Sequence, residues 1–291
     1  MSEKKTKRPR RTKKPAEPQY VNSLLNTPVL NYKVYRMKKR ELLLYTISAF
    51  AAGAALALLM YSGIGKDESG SPTVLTYFLD AVIACAVGCV TVRLFIPVMC
   101  EILRDRRLNV LRRQFMDLLD ALAASVASGN NAVKSFEAAK TDLMLQYGED
   151  SYIVDELTLM IKGQQNFIDI DKMLTDFGSR SGIREVESFA QVFAISYRKG
   201  GDFGKVIRDS YDILYNKLSI EMEIQTKIAA TKNELNIMLV MPFVMVGFMK
   251  YSSPDFAANF ATPSGVLGIT AGLVLTAGAY LVGRKITDIK V

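Results

Sequence analysis

The chain has 291 residues, 49% of them apolar and 23% charged, with a formal net charge of +8. It contains no histidine, which excludes a histidine base, a histidine metal ligand and a Ser-His triad. Several stretches of roughly twenty residues are almost free of charge, which excludes an ordinary soluble protein. The three cysteines, Cys85, Cys89 and Cys100, lie in or beside one such stretch. They offer no disulfide framework and no zinc-type spacing, so they are expected as small buried hydrophobes of a membrane helix.

Charge is segregated. Residues 1–40 carry thirteen Lys and Arg against two Glu, and the other 251 residues sum to −3. The first twenty, with Lys4, Lys5, Lys7, Arg8, Arg10, Arg11, Lys13, Lys14 and three prolines, hold too little apolar surface to fold. Residues 1–40 are therefore expected to form a disordered basic tail. A nucleic-acid arm is one use of such a run. Lys33, Arg36, Lys38, Lys39 and Arg40 directly precede the apolar stretch at Leu42, however. Basic residues beside a membrane are drawn to anionic lipid by about 1 kcal/mol each. The expected partner of the tail is anionic lipid, with no nucleic acid. Its length and polarity do not fit the charged region of a secretory signal.

Four spans follow. The first runs from Leu42 to Gly63 and is rich in Ala and Gly, which permit close helix approach. A polar turn, Gly65 to Pro72, leads to a second span from Thr76 to Met99, with Asp80 near its outer end and Arg93 near its inner end. Both are candidate membrane-interior polar residues, and their nearness to an interface favours packing or solvation over a proton path. The third span, Leu235 to Met249, is short and carries Pro242, a candidate kink. The fourth, Ser264 to Gly283, contains the small-residue pair Gly268 and Gly272, which suits close packing. The positive-inside rule places the basic tail, the Arg104, Arg106, Arg107, Arg112 and Arg113 cluster, and Arg284 with Lys285 in the cytoplasm. Both termini and the long middle segment are then cytoplasmic. The domains expected are the tail (1–40), spans 1 and 2 (41–100), a cytoplasmic segment (101–234), and spans 3 and 4 with a short C-terminus (235–291).

Residues 100–234 show helical periodicity throughout. Leu111, Phe115, Leu118, Leu119, Leu122 and Val126 form one stripe, ended by Ser128-Gly129-Asn130, and Asn131 can cap the next helix. That helix carries Val133, Phe136, Ala139 and Leu143. A third uses Ile153, Leu157, Met160 and Ile161 before Gly163; a short fourth holds Met173, Leu174 and Phe177 and stops at Gly178. A fifth aligns Ile183, Val186, Phe189, Ala190 and Phe193 and stops at Lys199-Gly200-Gly201. Asp202 caps a long sixth, with Phe203, Val206, Ile207, Tyr211, Leu214 and Leu218 inward, that runs on toward the third span. The fold class is all-α: four transmembrane helices with one six-helix bundle between spans 2 and 3.

Little chemistry is visible. Gly200-Gly201-Asp202-Phe203-Gly204 lacks the Lys-Ser/Thr of a phosphate-binding loop and reads as a helical corner. Asp117 with Asp120, and Asp169 with Asp171, lack companions for a metal and read as solvated surface or ion pairs. No nucleophile–base pair is supported. No catalytic, cofactor or metal residue is expected, and the chain is not read as an enzyme.

The helix Gln114-Phe115-Met116-Asp117-Leu118-Leu119-Asp120-Ala121-Leu122 with Ser128-Gly129, the Ala132–Ala138 segment, Gly163, Met173-Leu174, Arg180, Lys199-Gly200-Gly201-Asp202 and Met241-Pro242 together resemble the type II secretion F domain, over residues 112–245. General secretion and type IV pilus platforms resemble two tandem copies. A single copy between two pairs of spans resembles the tight-adherence (Tad/Flp) pilus platforms. The resemblance implies a prokaryotic plasma (inner) membrane platform for pilus assembly or protein secretion. Its implied partners are a hexameric motor ATPase, pilin subunits and a sister platform protein, in a homo- or hetero-oligomer. Arg104, Arg106 and Arg107 at the neck, and Lys199, Asp202 and Lys205 at the Gly-Gly corner, are the candidate partner contacts. A four-span transporter or channel with a regulatory domain is the alternative, and a membrane-tethered sensor or enzyme a third.

Overall fold

The computed structural model describes residues 18–62, 64, 73–253, 256, 258–259 and 262–287. Most of the expected tail, the polar turn at Gly65–Pro72 and the extreme C-terminus lie outside them. The chain forms two compact units: the segment ending at Arg36 with Arg104–Ile207, and Met37–Leu103 with Arg208 onward. Two helices contribute to both. α2 (Val74–Ala127) is an unbroken helix of 54 residues, and α7 (Phe203–Ser252) one of 50. Between Val98 and Ala127 the sequence holds neither Gly nor Pro, so nothing ends the second span before the first bundle helix.

The first unit contains the later part of α2, α3 (Ala132–Tyr147), α4 (Tyr152–Gln165), α5 (Ile170–Ser181), α6 (Arg184–Lys199) and the opening turn of α7. The periodic stripes are its core. Leu111, Phe115, Leu118, Leu119 and Leu122 of α2 are buried with Phe136, Ala139 and Leu143 of α3 and with Val186, Phe189, Ala190 and Phe193 of α6. Phe115 meets Phe189 at 5.6 Å, Phe189 meets Phe193 at 5.7 Å, and Phe193 meets Phe136 at 5.9 Å, mostly edge-on or tilted as ring quadrupoles prefer. The Asn131 side chain accepts the Lys134 N–H at 2.9 Å and starts α3.

Two helices run past their expected stops. α4 continues through Gly163 to Gln165, and α5 through Gly178 to Ser181, ending at Gly182 with φ 70°. Both internal glycines serve packing instead. A Cβ on Gly163 would lie 2.7 Å from Met173 Sδ, and one on Gly178 would lie 3.1 Å from Glu187 Cα and 3.2 Å from Ala190 Cβ. In the sixth helix Ile207 and Leu214 are buried as expected, but the first unit takes α7 only as far as Ile207, and Tyr211, Leu214 and Leu218 belong to the second.

The expected disorder of residues 1–40 does not hold for residues 18–38. β1 (Tyr20–Asn22) pairs antiparallel with β2 (Pro28–Leu30), in the register Tyr20 to Leu30 and Val21 to Val29. The chain then inserts Tyr32 into the first unit, where it is 1% exposed against Tyr152 and Phe177 at 5.7 and 6.3 Å. Half-buried Val21, Val29 and Leu30 and fully buried Tyr32 let this stretch fold despite the basic run before it. It forms a strap on the helices. Apart from this hairpin, the secondary structure of the described residues is helical.

The second unit holds α1 (Lys39–Tyr61), the earlier part of α2, most of α7, and α8 (Pro263–Thr287). All four helices are long and apolar enough to cross a bilayer, which makes this a multi-pass membrane protein. Their outward residues are what lipid would cover: Phe248 is 69% and Leu275 74% exposed. Cys85 and Cys89 are exposed on α2 rather than buried, and all three cysteines are free.

Candidate functional site

α1 is the hub of the membrane unit. Ala49, Gly53, Ala57 and Met60 form its buried stripe. A Cβ on Gly53 would lie 2.5 Å from Thr91 Oγ1 and 3.2 Å from Gly88 Cα, so α1 and α2 cross almost backbone to backbone. Tyr61 and Thr270 share a hydrogen bond of 3.0 Å between α1 and α8. From α7, Lys250 Nζ donates to the carbonyls of Leu59 and Ser62 at 3.2 and 2.9 Å and to Ser62 Oγ at 3.0 Å. That ammonium satisfies the end of α1, where the carbonyls lack helical partners.

Of the membrane-interior candidates, Arg93 is exposed, as a snorkelling side chain would be. Asp80 is half-buried, and its Oδ1 has no hydrogen-bond partner. Pro242 lies inside α7 and withdraws the N–H that would bond Met238 O. Pro97 does the same inside α2 toward Arg93 O, a position the sequence reading passed over. Pro242 and Thr276 join two grooves along α8. One of about 530 Å³ reaches Asn236, Tyr280 and Gly283, and one of about 240 Å³ reaches Met60, Gly268 and Gly272. A Cβ on Gly268 or Gly272 would meet nothing within 4 Å, so this pair is not used for close packing within the chain. The close contact lies at Gly53 and Gly88 instead.

In the first unit the neck arginines diverge. Arg104 pairs with adjacent Asp105 at 2.8 Å in an exposed position, and Arg106 is exposed. Arg107 is half-buried, its guanidinium 4.4 Å above the Tyr35 ring and 5.9 Å from that of Tyr152. It ties the strap to α2 and is not a free surface charge.

The same strap covers a buried charge cluster that spacing alone could not reveal. Arg180 donates from Nη1 and Nη2 to the two Glu156 oxygens at 2.9 Å each, from Nε to Asp176 at 2.8 Å, and from Nη1 to Leu30 O at 3.2 Å. Tyr32 OH donates to Glu156 Oε1 at 3.1 Å, and its N–H donates to Arg180 O at 3.1 Å. Burial by itself would lower the Arg180 pKa, yet the bonds and charge of Glu156 and Asp176 raise it above the ordinary value. Burial first, then the Glu156 charge, pushes the Tyr32 phenol well above its usual range. The cluster's charges are matched by hydrogen bonds inside the unit, so it builds structure rather than chemistry.

At the opposite end of this unit three helical corners meet. Asp202 Oδ1 accepts the Lys205 N–H at 3.0 Å and starts α7, while Lys199, Asp202 and Lys205 are all exposed. Gly200 has φ 70°, and its corner lines a groove of about 400 Å³ with Asn131, Ala132, Val133 and Tyr197. Asp171 and Asp169 are matched by Arg198 and Lys172 at 2.6 and 2.9 Å, which fits the ion-pair reading of that motif. At the α4–α5 corner the Phe167 N–H donates to Gln164 O at 3.1 Å and the Ile168 N–H to Gly163 O at 3.0 Å. This bond pair puts Phe167 where glycine is usual, with φ 61° and 97% exposed. Left-handed backbone at such a residue costs about 1–2 kcal/mol. The Gln165-Asn166-Phe167 run gave no signal of this in sequence, since Asn166 is the better residue for that conformation.

Among the described residues no group of three metal-binding side chains gathers. Comparison with protein-family models, curated proteins and solved structures gave no match.

Proposed function

We propose that this protein is the membrane platform of a type IV-like (Tad/Flp) pilus-assembly or type II secretion machine, one that couples a cytoplasmic motor ATPase to the extraction and assembly of pilin subunits. The observation that carries the reading is the placement of the helical unit. It is inserted between the second and third membrane helices, and α2 and α7 each pass from one unit to the other without a break. A force applied to such a unit reaches the spans through helices rather than loops. The resemblance implies the plasma (inner) membrane of a prokaryote, and the positive-inside rule supports cytoplasmic termini. Anionic lipid meets the basic N-terminus, and a sister platform protein or a second copy completes the assembly.

Affinity capture from native membranes through a C-terminal tag tests this reading. A secretion-type ATPase and a second platform protein are the expected partners, and their absence from cells that assemble surface filaments would overturn it. The transporter alternative draws on the unpartnered Asp80 carboxylate oxygen. It requires solute flux in proteoliposomes that Asp80→Asn abolishes.

A further inference from the structure

We infer that the end of the first unit built by the α2–α3, α4–α5 and α6–α7 corners is a protein docking face, with Phe167 as its anchor and lysines that select an acidic partner. This rests on the platform reading for the partner's identity, the motor ATPase.

The three corners lie at one end. The Arg198–Asp171 ion pair of 2.6 Å joins the end of α6 to the start of α5, directly after Phe167. The groove shared by Asn131, Tyr197 and Gly200 joins the end of α6 to the start of α3. The strap and its Arg180–Glu156 cluster occupy the other end, where α4 begins and α5 finishes.

Phe167 is 97% exposed in a left-handed conformation that favours glycine, so neither burial nor backbone preference accounts for an aromatic side chain there. The paired bonds to Gln164 O and Gly163 O fix the direction in which the ring projects. A rigid, outward aromatic is the kind of residue that dominates binding energy when a partner supplies a pocket. The charge around it points to what surrounds that pocket. In the helix caps and terminal turns meeting at this end there are six basic side chains and three aspartates. Lys172 and Arg198 are matched by Asp169 and Asp171, which leaves Lys134, Lys162, Lys199 and Lys205 against Asp202. The excess is +3. The partner surface is therefore an apolar socket with a carboxylate rim.

The test uses the full chain in native membranes and the motor ATPase that it captures. Phe167→Ala lowers ATPase recovery at least tenfold, and Lys199→Glu with Lys205→Glu lowers it similarly, while Leu145→Ala at the other end of α3 leaves it unchanged. Phe167→Gly separates docking from folding, since it raises the unfolding temperature by removing the left-handed strain and still loses the ATPase. A benzophenone photocrosslinker at position 167 forms its adduct with the ATPase. Wild-type recovery by Phe167→Ala, or a lipid adduct at position 167, would overturn the docking face and leave the platform reading intact. Failure of the wild-type chain to recover any ATPase would overturn both.

Discussion

The guanidinium of Arg180 grips the carboxylate of Glu156 through two bonds of 2.9 Å, with both side chains about 5% exposed. Tyr32 closes over the pair from a segment that a composition reading assigns to a disordered tail. Removing one partner of such a pair leaves a buried charge, which costs about 3–5 kcal/mol. Arg180→Met should therefore lower the unfolding temperature of the detergent-solubilised chain by many degrees. Tyr32→Phe loses a single hydrogen bond, about 1–2 kcal/mol, and makes residues 18–36 more readily cut by protease. Equal stability of wild type and Arg180→Met would mean that the strap cluster does not form.

Tyr147 OH donates a hydrogen bond to Asp117, and the phenol pKa is pushed up to about 12, first by burial and then by the Asp117 bond and charge. The folded state thus keeps a proton that the unfolded state loses near the ordinary value of 10. The unfolded chain binds fewer protons in this window, so stability falls as pH rises from about 10 to about 12. Asp117→Asn should flatten that slope, measured as denaturant midpoint against pH. An unchanged slope would remove Asp117 from the account.

Gly53 and Gly268 are both small residues of apolar helices, with opposite surroundings. Gly53→Leu drives its side chain into Thr91 and the Gly88 backbone, and overpacking of this kind costs about 1–3 kcal/mol. Gly268→Ala and Gly272→Ala meet open space and should leave the unfolding temperature of the single chain unchanged or slightly higher. The reverse order would show that α8, and not α2, makes the tight contact.

Gly178 and Gly163 show what the sequence could convey and what it could not. The stripes that begin at Leu111, Val133, Ile153 and Ile183 were legible because burial repeats at the helical period. The same local logic read both glycines as stops, whereas each sits where another helix passes within contact of its Cα. That neighbour is eight to twelve residues away in the chain and on another helix, and no local pattern encodes it. Tyr32, 124 residues from Glu156, was hidden for the same reason. Phe167 escaped notice because its exposure and its backbone conformation are both tertiary facts. Gly178→Ala should destabilise more than Gly163→Ala, by about 1–3 kcal/mol, because the first meets backbone and the second meets the flexible Met173. Matching losses in chemical unfolding would contradict that distinction.

The proposed coupling of a motor to the membrane is read out in the motor's turnover. The full-length protein is reconstituted into lipid nanodiscs, and the ATP hydrolysis rate of the captured motor is compared with that on empty nanodiscs. A several-fold rise is expected with wild-type protein, lost with Lys199→Glu and Lys205→Glu together. A rate identical to that on empty nanodiscs, with the protein folded and present in excess, would contradict it.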